Sequence, residues 1–464
     1  MAEPARRQHI LYQVMAATAV GVATLVASLA MGYTSPALPS MRADPQFSIT
    51  EEEESWVGAV MPACALLGSM VTGSMVDSLG RRTTLIVLSF PFVLSWVMIA
   101  LASGVGGVVL GRMVGGVCVG VQAVAGSVFM PEVVQLDLRD VMAFFPAVLG
   151  NLGLLVSFAA GQYLSWRGLA WLGAALCVPL ALLLIPLPET PHHLTRTGRK
   201  EESLAALRKL RCTAEQAEKE QEEISSSCSG RDEGQSVSAW DIVRPPNQWP
   251  VGVAAALMLT QQATGINAVV FYASTILETG GSGMGGGSAS VLLGVVNFLG
   301  TFVGMFAMAT YKRRSLIAAS TVVLVISLLT LSFFFWAQEA GGSYSEMAEG
   351  LGMLPVVALL AYMVGFAVGW GPVPWIFLGE GMPSSVRGVA VSVVVAINWA
   401  SAFLVTKTFS WSVATLGTHT TFLAYAAVTG VSAVLIHGAM PETFGKSMLE
   451  MDRLYVEAHK KKEE

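Results

Sequence analysis

Asp77-Ser78-Leu79-Gly80-Arg81-Arg82 lies between two apolar runs. Downstream, Glu132 is followed seven residues on by Arg139, and Pro188-Glu189-Thr190 comes next. The second part of the chain replays the series: Lys312-Arg313-Arg314, then Glu380 and Arg387 at the same seven-residue gap, then Pro441-Glu442-Thr443. Nearly everything around these residues is apolar. A charged frame that repeats between apolar spans is the mark of a duplicated membrane transporter.

Composition agrees. The 464 residues are 53% hydrophobic and 13% charged, with a mean hydropathy of +0.61, whereas soluble domains carry about 25% charged residues. Apolar runs long enough for membrane helices fall at about 13–35, 56–76, 83–103, 108–131, 141–164 and 168–187. Six more follow at about 249–278, 288–310, 315–337, 351–378, 387–411 and 418–440. The fold expected is an all-α polytopic membrane protein of twelve transmembrane helices. It divides into a six-helix half (1–187), a polar insert (188–248), a second six-helix half (249–440) and a tail (441–464).

Lys and Arg set the orientation. With both termini cytoplasmic, the inner side receives Arg6, Arg7, Arg81, Arg82, Arg139, Lys312 to Arg314, Arg387 and the Lys460-Lys461-Lys462 tail. The outer side receives little beyond Arg42 and Arg167, and it carries the acidic runs near Glu51 to Glu54 and Glu339 to Glu349. In the insert, Arg199 to Ile224 spaces Leu204, Leu207 and Leu210 by three, as in short amphipathic helices lying under the membrane domain. Ser225 to Gly234 reads as a linker, and Gly280 to Gly287 as a flexible outer loop.

Other classes find no support. The net charge of −5 comes with no basic face interleaved with aromatics, so no nucleic-acid partner is expected. Cys64, Cys118, Cys177, Cys212 and Cys228 form no CxxC pair or Cys/His cluster, so neither a metal nor a cofactor is expected. The first apolar run is too long for a cleavable signal peptide. No nucleophile–base set or phosphate loop points to an enzyme.

Ionisable groups near hydrocarbon are costly and usually paired. Pairs on one face that form in one state and break in the other suit a molecule that alternates between two packings. The repeat singles out Asp77, Arg81, Arg82, Glu132, Arg139 and Glu189 in the first half, and Arg313, Arg314, Glu380, Arg387 and Glu442 in the second. Glu132 with Arg82, and Glu380 with Arg314, are the expected inner-face pairs holding an outward-open state. The plainer alternative is that these cations only set topology.

At these residues the chain resembles the sugar porters of the major facilitator superfamily. Asp77 to Arg82 resembles the first-half D-x-x-G-R-R, and Gly111-Arg112 with Gly116 and Gly120 the fourth-helix pattern. Pro188-Glu189-Thr190-Pro191 is similar to the sixth-helix P-E-S-P. Gln261-Gln262-Ala263-Thr264-Gly265-Ile266-Asn267 is very close to Q-Q-x-S/T-G-I-N. Gly371-Pro372-Val373-Pro374-Trp375, Asn398-Trp399 and Pro441-Glu442-Thr443 complete the set. Within the family, Met31 to Met41 is similar to the first-helix end of insect facilitated trehalose transporters. The resemblance implies the major facilitator fold, a small-molecule sugar as partner alongside membrane lipid, and function as a monomer in the plasma membrane.

Sugar hydroxyls both donate and accept hydrogen bonds, and amide side chains do the same without a net charge to desolvate. Gln and Asn with an aromatic platform are therefore the expected chemistry for a neutral sugar in a membrane cavity. The resemblance implies that Gln261, Gln262 and Asn267 bind the hydroxyls, with Asn297 on the next helix, Trp375 stacking nearby, and Asn398 and Phe366 at lesser positions. For the amides, hydrogen bonding between helices is the alternative. Gly265 is suited to break its helix.

The chain also departs from the family. Ala147 stands at the fifth-helix glutamine, Ala367 at the tenth-helix glutamate, and Ala402 at the eleventh-helix asparagine. Ala309 stands at the aspartate of the second D-R-x-G-R-R. Proton-coupled members carry an aspartate after the first-helix Gly-Tyr; here Gly32-Tyr33 is followed by Thr34. A proton carrier needs a titratable group facing the cavity, so facilitated diffusion of trehalose or a hexose such as glucose is expected. The alternatives are a proton–sugar symporter and a non-transporting sugar sensor.

Overall fold

A computed structural model describes residues 3–135, 138, 142, 144–229, 239–271, 286–383, 386–446, 450–451 and 453–457. Among them all regular structure is helical. The first half contains α1 (Glu3–Gly32), α2 (Thr34–Arg42), α3 (Glu51–Leu79), α4 (Arg81–Ala100), α5 (Val105–Val133), α6 (Phe144–Ala160) and α7 (Trp166–Leu184). Three short helices follow: α8 (Pro191–Arg196), α9 (Lys200–Leu210) and α10 (Ala214–Ser229). The second half contains α11 (Gln248–Ala263), α12 (Ile266–Phe271), α13 (Gly286–Thr310), α14 (Arg313–Ala340), α15 (Ser343–Gly350), α16 (Leu354–Val368), α17 (Pro372–Glu380), α18 (Arg387–Leu416) and α19 (Thr418–Ala439).

Among the described residues, eleven helical stretches are long and apolar enough to cross a membrane, and Phe145–Ala160 is a shorter apolar helix. Three spans are interrupted pairs, α1–α2, α11–α12 and α16–α17. The first of these breaks, at Tyr33, was not expected from the sequence. Other boundaries also shift. The helix expected from 56 begins at Glu51, because Thr50 and Glu53 cap it reciprocally: Thr50 Oγ1 accepts from the Glu53 N–H, and Glu53 accepts from the Thr50 N–H at 2.8 Å. The expected linker at Ser225 starts later, since α10 runs to Ser229. Most of Gly280 to Gly287 lies outside the described residues.

Hydrocarbon offers little hydrophobic drive between helices, so small residues that allow close approach hold such bundles together. The α3–α5 contact follows this rule: a Cβ at Gly120 would sit 2.0 Å from Ala65 O. Within the first half α1 packs on α6, and α4 on α5 and α7. In the second, α14 packs on α16 and α19, and α11 on α18. The halves meet along α3 against α18 and α6 against α13. At the first of these seams, Lys407 Nζ lies 4.1 Å from the centre of the Trp56 ring, which gives this cation of α18 a cation–π partner in the other half.

The insert docks on the first half. Leu207 and Leu210 are fully buried, with Leu207 against Ala217 and Ile224 and Leu210 against the membrane helices. Gln13 Nε2 donates to Leu210 O at 2.9 Å, and Arg211 Nη1 donates to Val133 O at 2.9 Å.

Candidate functional site

The second half is built around a broken helix. Gly265 has φ +87°, and a Cβ there would lie 2.8 Å from the Tyr425 ring; only glycine meets both conditions. The break lets Thr264 O turn from its helix and accept from Tyr362 Oη at 3.1 Å. It also brings side chains from both segments to one place. Asn267 Nδ2 donates to Gln262 Oε1 at 2.6 Å, and Gln262 Nε2 donates to Asn398 Oδ1 at 3.1 Å. Asn398 Nδ2 donates to Gln261 Oε1 at 3.0 Å. Gln261 Nε2 then donates to Trp370 O at 2.7 Å and Gly371 O at 2.9 Å, in the gap between α16 and α17.

These four amides form one continuous chain across two spans and reach a third through the carbonyls of Trp370 and Gly371, and none is more than 6% exposed. Each carries both donor and acceptor atoms, so a ligand hydroxyl can take the place of any one link and restore both bonds. Buried polar groups of this kind are costly when unsatisfied, and their mutual bonds satisfy them.

Four of the seven expected binding residues, Gln261, Gln262, Asn267 and Asn398, therefore meet. Phe366 lies beside them, stacked on Tyr362 with ring centres 6.4 Å apart. Trp375 sits on α17 with 37% of its surface exposed. Asn297 makes a different contact: its Nδ2 donates to Asn151 Oδ1 at 2.6 Å, across the seam between α13 and α6. Asn151, Thr264, Tyr362 and Trp370 were not singled out from the sequence. Thr264 lies inside the glutamine motif, and Asn151 is the one amide on an apolar helix, a signal that was present.

The first half has no comparable amide chain among the described residues. Its deepest charge is Arg112, 2% exposed. Arg112 Nε donates to Val57 O at 2.5 Å, Nη1 donates to Ala30 O at 3.0 Å, and the guanidinium lies 5.9 Å from the Tyr33 ring centre. Backbone dipoles and an aromatic face thus surround this cation at the α1–α2 break. Thr34, at the position where proton-coupled members carry aspartate, is fully buried.

At the end of the bundle carrying Arg81 and Arg313, the two halves repeat one arrangement. Arg81 Nε lies 3.0 Å from Glu132, and Arg313 Nη2 lies 3.0 Å from Glu380. These replace the expected Glu132–Arg82 and Glu380–Arg314 pairs. Adjacent helix residues point about 100° apart, and in each half the first arginine is the buried one. The second turns to the end of a neighbouring helix: Arg82 Nε donates to Leu184 O at 2.9 Å and Arg314 Nη2 to His437 O at 2.5 Å.

Glu189 accepts from the N–H groups of Arg82 and Thr83 at 3.0 and 3.1 Å, and Glu442 from those of Arg313 and Arg314 at 3.0 and 3.3 Å. Each carboxylate thereby satisfies otherwise open donors at a helix N-terminus and meets the positive end of its dipole. Asp77 reaches Arg196 of α8 at 2.7 Å and Arg81 at 4.0 Å. Arg387 Nη2 donates to Met382 O at 3.1 Å. Arg139 lies outside the described residues.

Known proteins give the same picture. The chain is 38% identical over 448 residues to the facilitated trehalose transporter Tret1 of Anopheles gambiae, covering 96% of this chain and 56% of that protein. To the Polypedilum vanderplanki Tret1 it is 37% identical, covering 96% of this chain and 88% of the relative. The chain thus spans little more than half of some relatives and most of others. Among solved structures, the proton:xylose symporter XylE bound to 6-bromo-6-deoxy-D-glucose matches with a TM-score of 0.76 at 23% identity, covering 96% of this chain and 99% of that one. A partially occluded inward-open XylE from E. coli matches with a TM-score of 0.77 at 21% identity, covering 95% and 99%. These two likenesses speak to the fold. The sequence model of the sugar (and other) transporter family matches residues 16–455, and the chain belongs to that family.

Proposed function

We propose that this protein carries a neutral sugar, trehalose or a hexose such as glucose, across the plasma membrane by facilitated diffusion, working as a monomer with both termini in the cytosol. The observation that carries this reading is the buried amide chain of Gln261, Gln262, Asn267 and Asn398 at the break of α11 and α12. It matches hydroxyl groups one for one and bears no net charge. The names of the relatives support trehalose as the first sugar to try. The two six-helix halves rock about the ligand, and the Arg81–Glu132 and Arg313–Glu380 frames stiffen the end of each half that parts and closes. Coupling to protons is disfavoured by Thr34, and Arg112 is held instead by carbonyls and the Tyr33 ring.

The test is uptake of labelled trehalose and labelled glucose in cells expressing the chain, with and without a protonophore. Saturable uptake that the protonophore leaves unchanged is expected. Accumulation against a gradient that collapses with the protonophore would replace facilitated diffusion by symport. Glucose uptake alone would keep the mechanism and remove trehalose.

A further inference from the structure

Lys407 interrupts the apolar helix α18: from Gly388 to Leu416 it is the one charged residue. A charged side chain inside a membrane span is costly and marks a working position. This one meets an aromatic face. Its Nζ lies 4.1 Å from the centre of the Trp56 ring, and tryptophan gives the strongest cation–π contact of the aromatic residues. The contact joins the two halves along the seam of α3 and α18. It also has a definite place: Trp56 lies in the second turn of α3, near Glu51, and Lys407 in the last three turns of α18. Both are remote from Arg81 and Arg313. Other contacts between the halves gather at the same end. α2 touches α12, and a Cβ at Gly287 would lie 2.3 Å from Gln162, just past the end of α6. At the opposite end the Arg81–Glu132 and Arg313–Glu380 pairs each stay within one half.

We infer that Trp56 and Lys407 form a clasp that holds the Glu51 end of the bundle shut, and that its release is a step of each transport cycle. This rests on the reading of two halves that part and close around a ligand, and not on which sugar is carried. Opening that end separates α3 from α18 and moves the ammonium off the ring. The clasp therefore weights the equilibrium toward the closed form by the strength of one cation–π contact. A lysine that only anchored α18 at the membrane surface would set no such equilibrium. Glu52 offers the alternative partner. It lies one turn before Trp56 on the same face of α3 and is exposed, so an ion pair with Lys407 would make a different set of residues sensitive.

The experiment is a pulsed electron-resonance distance measurement on the purified full chain in lipid nanodiscs, without sugar. Spin labels are placed through Tyr163→Cys and Leu416→Cys, exposed positions of the two halves at the Glu51 end, with Cys212→Ser and Cys228→Ser so that those thiols take no label. The short distance reports the clasped form. In Lys407→Met and in Trp56→Leu the ratio of long to short distances is expected to rise about three- to tenfold, the size of one cation–π contact. The double variant should rise no further than either single one. Lys407→Arg and Trp56→Phe keep a cation on an aromatic face and should stay within about twofold of wild type, which separates a lost clasp from a packing defect. Glu52→Gln should leave the ratio unchanged. The clasp is overturned by no rise in either single variant, by additive rises in the double variant, or by a rise in Glu52→Gln that matches Lys407→Met while Trp56→Leu shows none. The distances are read without sugar, so loss of the sugar reading in the uptake test and loss of the clasp are separate results.

Discussion

In the first half, Arg81 lies between two carboxylates: Glu132 at 3.0 Å and Asp77 at 4.0 Å. His193 Nδ1 stands 3.4 Å from its Nη1. In the second half, among the described residues, the Arg313 side chain pairs with one carboxylate, Glu380 at 3.0 Å, and Ala309 stands four residues before it, where the first half has Asp77. Its Nη1 donates to Met308 O at 2.5 Å, as Arg81 Nη1 does to Val76 O at 3.3 Å, and its guanidinium lies 5.2 Å from the Phe444 ring centre. Thr443 Oγ1 donates to Glu380 at 2.7 Å and holds that single acid in place. Two copies of one frame thus keep the same buried arginine with different surroundings. What the duplication preserves is the arginine–glutamate contact and the carboxylate that caps the next helix. What it lets drift is the reserve of charge around them.

The largest effect should come from removing the shared acid in the half where Ala309 takes the place of Asp77. Leaving a charged group without its hydrogen-bonded partner costs about 1.5–3 kcal/mol, or roughly tenfold and more in an equilibrium. Glu380→Gln should therefore reduce initial uptake about tenfold at equal surface expression, and Glu132→Gln by a smaller factor, because Arg81 retains Asp77. Ala309→Asp placed on the Glu380→Gln background should recover part of the loss by restoring the reserve. Equal losses in the two single variants would show that the missing aspartate does not matter to the second frame.

A smaller and pH-dependent difference concerns the two rings. Burial pushes the His193 imidazole below its usual pKa, against the opposing pull of Glu189 and with further lowering by Arg81. Its neutral ring can accept from Arg81. In the unfolded chain a histidine takes up its proton near pH ~6.5, before the folded protein does. Stability is then complete above that value and declines as pH falls below it. Phe444, beside Arg313, cannot titrate. Thermal unfolding of purified protein should show a steeper drop from neutral to mildly acidic pH in the wild type than in His193→Phe, which makes the first frame resemble the second. Parallel curves would mean that the proton goes elsewhere.

The repeat and the twelve apolar spans were legible because period and charge are properties of the chain itself. So were the amides near Gly265, whose motif names them. Partner choice was not. Arg81 and Arg82 are adjacent, and spacing along the chain does not say which one faces Glu132 when one helical step turns the side chain by about 100°. The resemblance places Asn297 among the ligand residues, and nothing in the spacing announces its contact with Asn151, 146 positions away. The break at Tyr33 carries no such mark in the sequence. Pro36 and Pro39 lie beyond it, and α2 resumes after a single turn residue.

The smallest expected effect falls on the outermost link of the first frame. Arg196 of α8 meets Asp77 at 2.7 Å with both side chains about half exposed. Water screens such a pair, and exposed pairs contribute about 0–1 kcal/mol. Arg196→Ala should therefore lower thermal stability slightly, less so with added salt, and leave uptake within about twofold. Asp77→Asn should cost somewhat more, since Asp77 also faces Arg81, and the double variant should be little worse than Asp77→Asn alone. A loss in Arg196→Ala as large as that in Glu132→Gln would make the insert a working part of the first frame, and the asymmetry between the halves would then lie in that attachment rather than in the missing aspartate.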